Sequence, residues 1–398
     1  MSPSSSLAAR HPSVAAFRAV AERRLARLAF DYLDGGAEDA HALQRNEQAY
    51  RAWLFQPRVL TDVRTCSLDA RLPGARTDAA APLIVGPTGL NGLFWPRADE
   101  LLAASAGAAG LPFVLSTAAT SLLEDVRAAA PRANLWLQLY VQKDRRIAED
   151  LMRRARACGF STLVLTVDVP VHGKRDHDRR NGLQLPLRFR PALLADCLRH
   201  PRWSWRMARG GTPQLVNIAR SMGERPDLAR QAAALSREMD LALTWTDLDW
   251  VRRHWSGPIL VKGVQGVDDA LLARQHGADG IVLSNHGGRQ LGSVPAPLEL
   301  LPAVMDALRG DLDVFIDGGV RRGGDALKAV ALGARGVLLG RAPLYGLSAF
   351  GRAGVDAVLA LLVEEMAISM RLLGRTCLAE LGPACVRRHD AMPERQAL

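Results

Sequence analysis

One segment of this 398-residue chain carries the residue types for proton chemistry on a small acid: Ile281-Val-Leu-Ser-Asn-His-Gly-Gly-Arg-Gln-Leu291. An apolar run ends at Ser284, and a polar loop then presents His286 and Arg289 with two glycines between them. An imidazole titrates near neutrality, and a guanidinium is a planar fork that grips a carboxylate with two hydrogen bonds. Gly287 and Gly288 let the backbone come close to a ligand. A base beside a carboxylate binder is equipment for taking a proton from a small carboxylic acid. Such a loop alone also reads as a solvated turn, so the ends of other elements decide.

Eight short apolar runs recur: Leu83-Ile-Val-Gly86, Pro112-Phe-Val-Leu-Ser116, Leu135-Trp-Leu-Gln-Leu-Tyr140, Thr162-Leu-Val-Leu-Thr-Val167, Pro258-Ile-Leu-Val-Lys262, Gly280-Ile-Val-Leu-Ser284, Asp313-Val-Phe-Ile-Asp317 and Gly336-Val-Leu-Leu-Gly340. Most are followed by an Ala/Leu/Arg-rich helical stretch. Continuous apolar strands alternating with helices mean parallel strands buried on both faces. Eight such units predict an α/β fold of the (β/α)8 TIM-barrel type. An open doubly wound sheet is the alternative, but Gly86-Pro-Thr-Gly89 after the first run is not its glycine fingerprint. Thr88, Ser116, Gln138, Tyr140, Thr166, Asp168, Lys262, His286, Asp317 and Arg341 sit at C-terminal ends of these runs. In a barrel those ends converge on the face that builds active sites.

The runs start roughly 25 to 30 residues apart, as βα units do, but about ninety residues separate the fourth from the fifth. An insertion over about 172–226 is expected there, followed by helix at Leu228–Ser236 and Trp245–Arg253. Residues 1–75 read as an N-terminal helical cap, with apolar residues at helical steps from Phe17 to Leu33. Residues 76–385 read as the barrel and 386–398 as a C-terminal tail.

The seventh run leads into Asp317-Gly-Gly-Val-Arg-Arg-Gly-Gly324 and the eighth into Gly340-Arg341. Glycine-rich loops at these two places form the usual phosphate site of a barrel. Gly318, Gly319, Arg321, Gly340 and Arg341, with N–H groups at the following helix start, are expected to bind the anion. It belongs to a sugar phosphate, a nucleotide or FMN. Lys262 ends a buried strand and needs an anionic partner. The N1/O2 edge of a reduced flavin is one such partner, and Ser116, Gln138 and Thr166 suit the ring's other polar atoms. A Schiff-base lysine is the alternative, and the His286/Arg289 pair suits hydroxy-acid oxidation better.

Ser284-Asn-His-Gly-Gly-Arg-Gln290 resembles the signature of the FMN-dependent α-hydroxy-acid oxidases and dehydrogenases. Further matches are Asp31-Tyr32, Gly86-Pro-Thr-Gly89, Gln138-Leu-Tyr140, Thr166-Val-Asp168, Arg175 with Asn181, Val261-Lys262-Gly263 and Asp317-Gly-Gly-Val-Arg321. The resemblance spans nearly the whole chain. It implies that FMN is held by Pro87, Thr88, Gly89, Ser116, Gln138, Thr166, Lys262, Ser284, Asp317, Gly318, Gly319, Arg321, Gly340 and Arg341. It implies that His286 is the base, paired with Asp168, which otherwise reads as a helix cap. Arg289 and Arg175 would hold the substrate carboxylate, Tyr32 and Tyr140 would hydrogen-bond the substrate, and Lys262 would stabilise the reduced flavin. The expected reaction is oxidation of an (S)-2-hydroxy acid to the 2-oxo acid, with electrons passed to a quinone or another acceptor. Ala118, where several relatives with small substrates carry Trp, implies room for a mandelate-like aryl or other bulky side chain. Gly89 resembles the dehydrogenases, where oxidases usually carry Ala. A soluble lactate- or glycolate-type oxidase reducing O2 to H2O2, and a redox-neutral phosphate-ligand barrel, are the alternatives. A homo-oligomer, a tetramer, is also implied. Gly292 departs from the family's usual Asp, and Arg175-Asp-His-Asp178 departs from its Arg-Glu-x-Asp.

The net charge is +10, and His172–Gly210 carries ten basic against three acidic residues, a net +7. Leucines, Trp203 and Trp205 interleave with these charges. Basic and aromatic residues together suit an anionic bilayer surface, and in membrane-associated relatives this region is the anchor. The alternative is a substrate loop that packs its tryptophans on the barrel. The barrel and His286 lie outside the insertion, so its removal is expected to spare the chemistry. No recognition motif accompanies the charge, so no nucleic-acid partner is expected. Five scattered cysteines show no metal spacing and read as reduced thiols, and no metal is expected. The first residues lack a secretory pattern and no run is long enough to span a membrane. The expected location is cytoplasmic, peripheral on the inner face of the cell membrane.

Overall fold

All eight apolar runs become strands of one closed parallel barrel in the computed structural model, which describes residues 3–75, 77–181, 191–211, 213–223 and 238–389. A short β1 (Trp53–Phe55) precedes the barrel. The barrel strands are β2 (Leu83–Val85), β3 (Phe113–Leu115), β4 (Leu135–Leu139), β5 (Thr162–Thr166), β6 (Ile259–Val264), β7 (Gly280–Leu283), β8 (Asp313–Asp317) and β9 (Gly336–Leu339). They are hydrogen-bonded in sequence order, and β9 closes on β2. Ile84, Val114, Trp136, Val164, Leu260, Val282, Phe315 and Leu338, one from each strand, form a single inner cluster with Ala70, Leu72 and Ala79. Neighbours such as Leu83, Leu135, Leu163 and Ile281 pack in the larger cluster with the helices. Because successive side chains point to opposite faces and both faces are dry, the strands read as unbroken apolar runs. An antiparallel bridge between Ala70 and Ala79 brings Leu72 against Gly336 at the start of β9, which closes the barrel floor.

The N-terminal part is helical as expected: α1 (Pro3–Arg10), α2 (Val14–Arg24), α3 (Arg27–Asp34) and α4 (His41–Arg51). The Phe17–Leu33 pattern is split, because Leu25 is extended (φ −90, ψ 144) and ends α2. Asn46 of α4 exchanges two amide hydrogen bonds with Asn285, at 2.8 and 2.7 Å. This buried pair holds α4 over the barrel mouth. At the other end of the chain, β10 (Val386–Arg388) pairs antiparallel with β1, so the start of the expected tail is anchored. Three-residue strands have no alternation to read, which is why neither was expected.

Helices α5 (Ala98–Ala108), α6 (Leu123–Ala129) and α7 (Arg145–Ala157) follow β2, β3 and β4. After β5 come α8 (Asp176–Asn181), α9 (Pro191–Arg199), α10 (Pro201–Gly210) and α11 (Val216–Ser221). The helix expected at Leu228–Ser236 lies outside the described residues. The one expected over Trp245–Arg253 is α12 (Asp247–His254). The remaining helices are α13 (Val267–Gln275), α14 (Pro297–Leu308), α15 (Gly323–Ala331), α16 (Arg341–Phe350) and α17 (Arg352–Leu372).

The insertion is not separable from the barrel. Trp203 is buried and donates its Nε1–H to the Leu93 carbonyl (2.9 Å), so it packs on the barrel, whereas Trp205 is 60% exposed. Asn217 of α11 is buried, donates to Ser121 O (2.9 Å) and accepts from Leu123 N (3.1 Å). Removing the insertion would take these partners away from Leu93 O, Ser121 O and Leu123 N, which a splice would have to leave to solvent or pair again.

Candidate active site

The loop after β7 turns sharply. His286, Gly287 and Gly288 all lie in the left-handed region, with φ 58, 63 and 74. A Cβ on Gly287 would sit 2.9 Å from Arg341 Nη1, and one on Gly288 2.5 Å from Leu43 N, so both positions require glycine. For His286 the same conformation costs about 1–2 kcal/mol, and hydrogen bonds hold it there. Its N–H donates to Ser284 Oγ (3.0 Å), and Nδ1 lies 3.0 Å from Asp168 Oδ1. An ionised carboxylate only accepts, so Nδ1 carries the hydrogen and Nε2 is the free basic atom of the neutral ring. Nε2 lies 3.4 Å from the Tyr140 hydroxyl.

Asp168 stands at the end of β5 with its side chain 3% exposed. Burial opposes its charge, but His286 and Lys262 outweigh burial and hold its pKa below the ordinary carboxylate value. Ionised Asp168 therefore contributes stability above the ordinary carboxylate range, and that contribution is lost as pH falls through the lowered value. Burial, followed by Asp168 and Tyr32, pushes the Tyr140 hydroxyl pKa up, so it stays protonated at neutral pH. Gln290 fixes the chain after β5 by donating to Asp168 O (3.0 Å) and Val171 O (2.9 Å).

The carbonyls at the C-terminal end of α3 lack helical partners and carry the negative end of the helix dipole. Two rim arginines dock on them. Arg289 Nη1 donates to Tyr32 O (2.8 Å) and Gly35 O (3.1 Å). Arg341 donates through Nε to Leu33 O (3.1 Å), Nη2 to Gly35 O (2.7 Å) and Nη1 to Gly287 O (3.0 Å). Burial, then the like charge of Arg175, lowers the Arg289 pKa to about 10, still charged at neutral pH. Both hydrogens of its Nη1 are used, which leaves the Nε/Nη2 edge, without a partner among the described residues, for a bidentate carboxylate. The Tyr32 ring lies 4.8 Å from the Arg289 guanidinium and 5.8 Å from that of Arg175.

Lys262 is buried at the end of β6. Its Nζ donates to Ser284 Oγ (2.9 Å) and pairs with Asp317 Oδ2 (3.1 Å). Burial would lower its pKa, but Asp317 and Asp168 outweigh burial and raise it. The anionic partner demanded by burial is thus a protein carboxylate, and one ammonium hydrogen remains. Gln138 Oε1 accepts from Ser116 Oγ (2.9 Å) and Thr117 N (3.1 Å), leaving its Nε2 unpaired. Thr166 Oγ1 and Asp317 Oδ1 are likewise buried without a partner. Unpaired buried polar groups cost about 1–3 kcal/mol each. Donors and acceptors alternate around an isoalloxazine ring, so these groups fit its polar edge.

One cavity of about 560 Å³ joins these parts, within the roughly 300–1,000 Å³ usual for cofactor and ligand sites. Lys262, Gln138, Thr166, Ser116 and Asp317 line it, with Pro87, Thr88 and Gly89 beside them. Tyr32, Tyr140, Arg175, His286 and Arg289 line the part where proton chemistry is possible, and Gly318, Gly319, Arg321, Gly340 and Arg341 line the part near β8 and β9. Ser284 and Asp168 do not reach its surface. Ser284, expected to touch the cofactor, is fully buried, and its Oγ accepts from Lys262 Nζ and His286 N.

All five residues expected to bind the anion line the cavity. The first N–H of α15, that of Gly323, and the two N–H groups before it already have carboxylate partners. Asp325 accepts from Arg321 N and Arg322 N (both 2.9 Å), and Glu365 accepts from Gly323 N (2.7 Å). The next helix, α16, has no side-chain cap at Gly340, and Gly340 and Arg341 line the cavity. Gly318 and Gly319 (φ 89 and 82) pass beneath Asn46, whose backbone oxygen a Cβ on Gly319 would overlap. Gly318–Arg321 and the start of α16 thus line one end of the cavity together. Leu90, Asp178, Leu215 and Met239 also line the cavity and were not expected. Leu215 lies in the insertion and Met239 on its return to the barrel, where no period marks a wall residue.

The FMN-dependent dehydrogenase family matches residues 21–388. The (S)-mandelate dehydrogenase of Pseudomonas putida is 43% identical over 367 residues, 92% of this chain and 91% of that protein. The L-lactate dehydrogenase of Serratia proteamaculans (strain 568) is 40% identical over 366 residues, 92% of this chain and 95% of that protein. The crystal structure of the monotopic membrane protein (S)-mandelate dehydrogenase superposes with a TM-score of 0.90 and 42% identity, covering 95% of this chain and 99% of that one.

Arg289→Lys should weaken binding of a small carboxylate roughly tenfold or more, because a point charge does not replace the fork edge left facing the cavity and a charge-assisted bond is worth about 1.5–3 kcal/mol. Titration of the flavin-loaded protein with a 2-oxo acid measures this. An unchanged dissociation constant would exclude the assignment.

Proposed function

The chain belongs to the FMN-dependent dehydrogenase family, and from that membership we propose that it oxidises (S)-2-hydroxy acids with an aryl or other bulky side chain to 2-oxo acids. It is an FMN-dependent 2-hydroxy-acid dehydrogenase; the choice among hydroxy acids is the proposal. When bound, FMN supplies the acceptor for the substrate's two electrons. Lys262, Gln138, Thr166 and Ser116 would hold its ring, and Gly318, Gly319, Arg321, Gly340 and Arg341 would hold its phosphate.

The substrate carboxylate lies on the Nε/Nη2 edge of Arg289 and on Arg175, with the Tyr32 ring beside both guanidinium groups. His286 Nε2 takes a proton from the substrate, from its α-carbon or its hydroxyl. Asp168 stabilises the imidazolium and keeps Nε2 aimed inward. The protonated Tyr140 hydroxyl donates to the substrate beside Nε2. The observation that carries this reading is the 3.0 Å His286–Asp168 pair in the same cavity as the free edge of Arg289. Electrons leave to a quinone or another acceptor.

The side chain of the substrate meets an apolar wall. Ala118, Leu215 and Ile218 form a buried cluster with Leu90 and Met222, and Ala118, Leu90, Leu215 and Met239 line the cavity. Ala118 presents only a methyl group to this wall, and a Cβ on Gly89 would come within 2.9 Å of it, so both positions stay small. (S)-Mandelate should have a higher kcat/KM than L-lactate or glycolate, and Ala118→Trp should reverse the order by filling this space. Preference of the natural protein for glycolate or lactate in a substrate panel would refute the pocket argument.

The outer face of α9 and α10 supports a peripheral membrane location, on the inner face of the cell membrane. Leu194, Leu198 and Trp205 are exposed there among Arg199, Arg202 and Arg209. No described helix is long and apolar enough to cross a membrane. Each basic residue near an anionic surface adds about 1 kcal/mol, and a few exposed apolar side chains complete a surface anchor. The intact protein should co-sediment with phosphatidylglycerol vesicles at low salt and not with phosphatidylcholine vesicles. Leu198→Glu with Trp205→Glu should leave it in the supernatant with activity retained. Intact protein that ignores anionic vesicles would overturn the placement.

A further inference from the structure

Three charged side chains line the substrate end of the cavity: Arg175, Arg289 and Asp178. Only the arginines have work in the reading above. Asp178 lies on α8, and its Oδ2 is 3.5 Å from Arg175 Nε, with both side chains largely buried. That separation is an ion pair without a well-formed hydrogen bond. Arg175, Arg289 and His177 attract the carboxylate. Asp31, tied to Asn181 Nδ2 (2.6 Å) and near Arg27 (3.5 Å), repels it. Burial is the largest influence and raises the Asp178 pKa, against the pull of the arginines. A loosely paired carboxylate beside a guanidinium with a free edge has the chemistry of the substrate's own carboxylate.

We propose that Asp178 is an internal counter-ion that holds the place of the substrate carboxylate between turnovers and weakens carboxylate binding, so that the 2-oxo acid product leaves. The proposal rests on the reading that Arg175 and Arg289 hold the substrate carboxylate. With Asp178 ionised, two guanidinium groups face one carboxylate, and a monocarboxylate ligand neutralises the remaining charge. Without it, a doubly positive site holds the product more tightly. A residue that merely aimed Arg175 would act with the opposite sign, since its loss would loosen the carboxylate.

The test is the dissociation constant of the 2-oxo acid product, phenylglyoxylate or pyruvate, titrated into oxidised holoenzyme and read from the flavin absorbance. Asp178→Asn should tighten binding on the order of tenfold, as expected for removal of one like charge beside the ligand at the effective dielectric of a protein. Product inhibition should strengthen in parallel. The amide of the same 2-oxo acid, which has no charge, should bind equally to both proteins. Asp178→Glu, which keeps the charge, should stay within about threefold of the natural protein. Asp178→Ala removes the same charge if the Asn variant does not fold. Unchanged or weaker product binding after removal of the charge overturns the proposal, as does equal tightening of the neutral amide. Failure of the parent reading has a separate signature: the natural holoenzyme would not be reduced by any 2-hydroxy acid.

Discussion

The site depends on one bond, His286 Nδ1 to Asp168 at 3.0 Å. It joins the loop after β7 to the end of β5 across β6, and it fixes which imidazole nitrogen faces the cavity. Its charge is not isolated. Lys262 helps to keep Asp168 ionised, Asp317 pairs with Lys262, and Ser284 hydrogen-bonds both Lys262 and the His286 backbone. Burying any one of these groups alone would be costly. Buried together they satisfy one another and leave Nε2, one ammonium hydrogen and Asp317 Oδ1 for ligands. The left-handed backbone at His286 is the local cost of aiming that ring inward.

The barrel alone does not complete the site. The guanidinium groups of Arg289 and Arg341 are held by carbonyls at the end of α3. Helix α4 presses Asn46 onto the Asn285 amide and onto Gly318 and Gly319. The N-terminal helices therefore set which edge of Arg289 is free and how closely two glycine loops approach the ligand. On the opposite side the insertion contributes Leu215 to the substrate wall and an exposed basic, apolar face on α9 and α10. One segment thus shapes the substrate end and offers a surface for attachment.

Much of this was legible in the sequence for a physical reason. Strands dry on both faces must be apolar throughout, and polar residues at their C-terminal ends must converge once the barrel closes. This located His286, Lys262, Asp317, Gln138 and Thr166 without coordinates. Other features leave no local mark. Three-residue β1 and β10 are too short to alternate. The bond from Gly323 N to Glu365 was invisible, because the two residues are 42 positions apart in the chain. Trp203 and Trp205 sit in one basic stretch, yet one is buried and the other exposed. The sequence placed Ser284 at the strand end but could not show that its hydroxyl is taken up by Lys262 and the His286 backbone.

The central claim is that His286 Nε2 removes the substrate proton, and anaerobic stopped-flow reduction of the flavin by (S)-mandelate in His286→Asn holoenzyme tests it most directly. Asparagine keeps a hydrogen-bonding side chain but cannot act as the base. Flavin content should equal that of the natural protein, because no flavin-holding group is removed. The reduction rate should fall by a factor of about 10²–10⁴ or more, the usual loss when a general base is removed. Flavin bleaching near the natural rate would contradict the account, and the base would have to be sought elsewhere in the cavity.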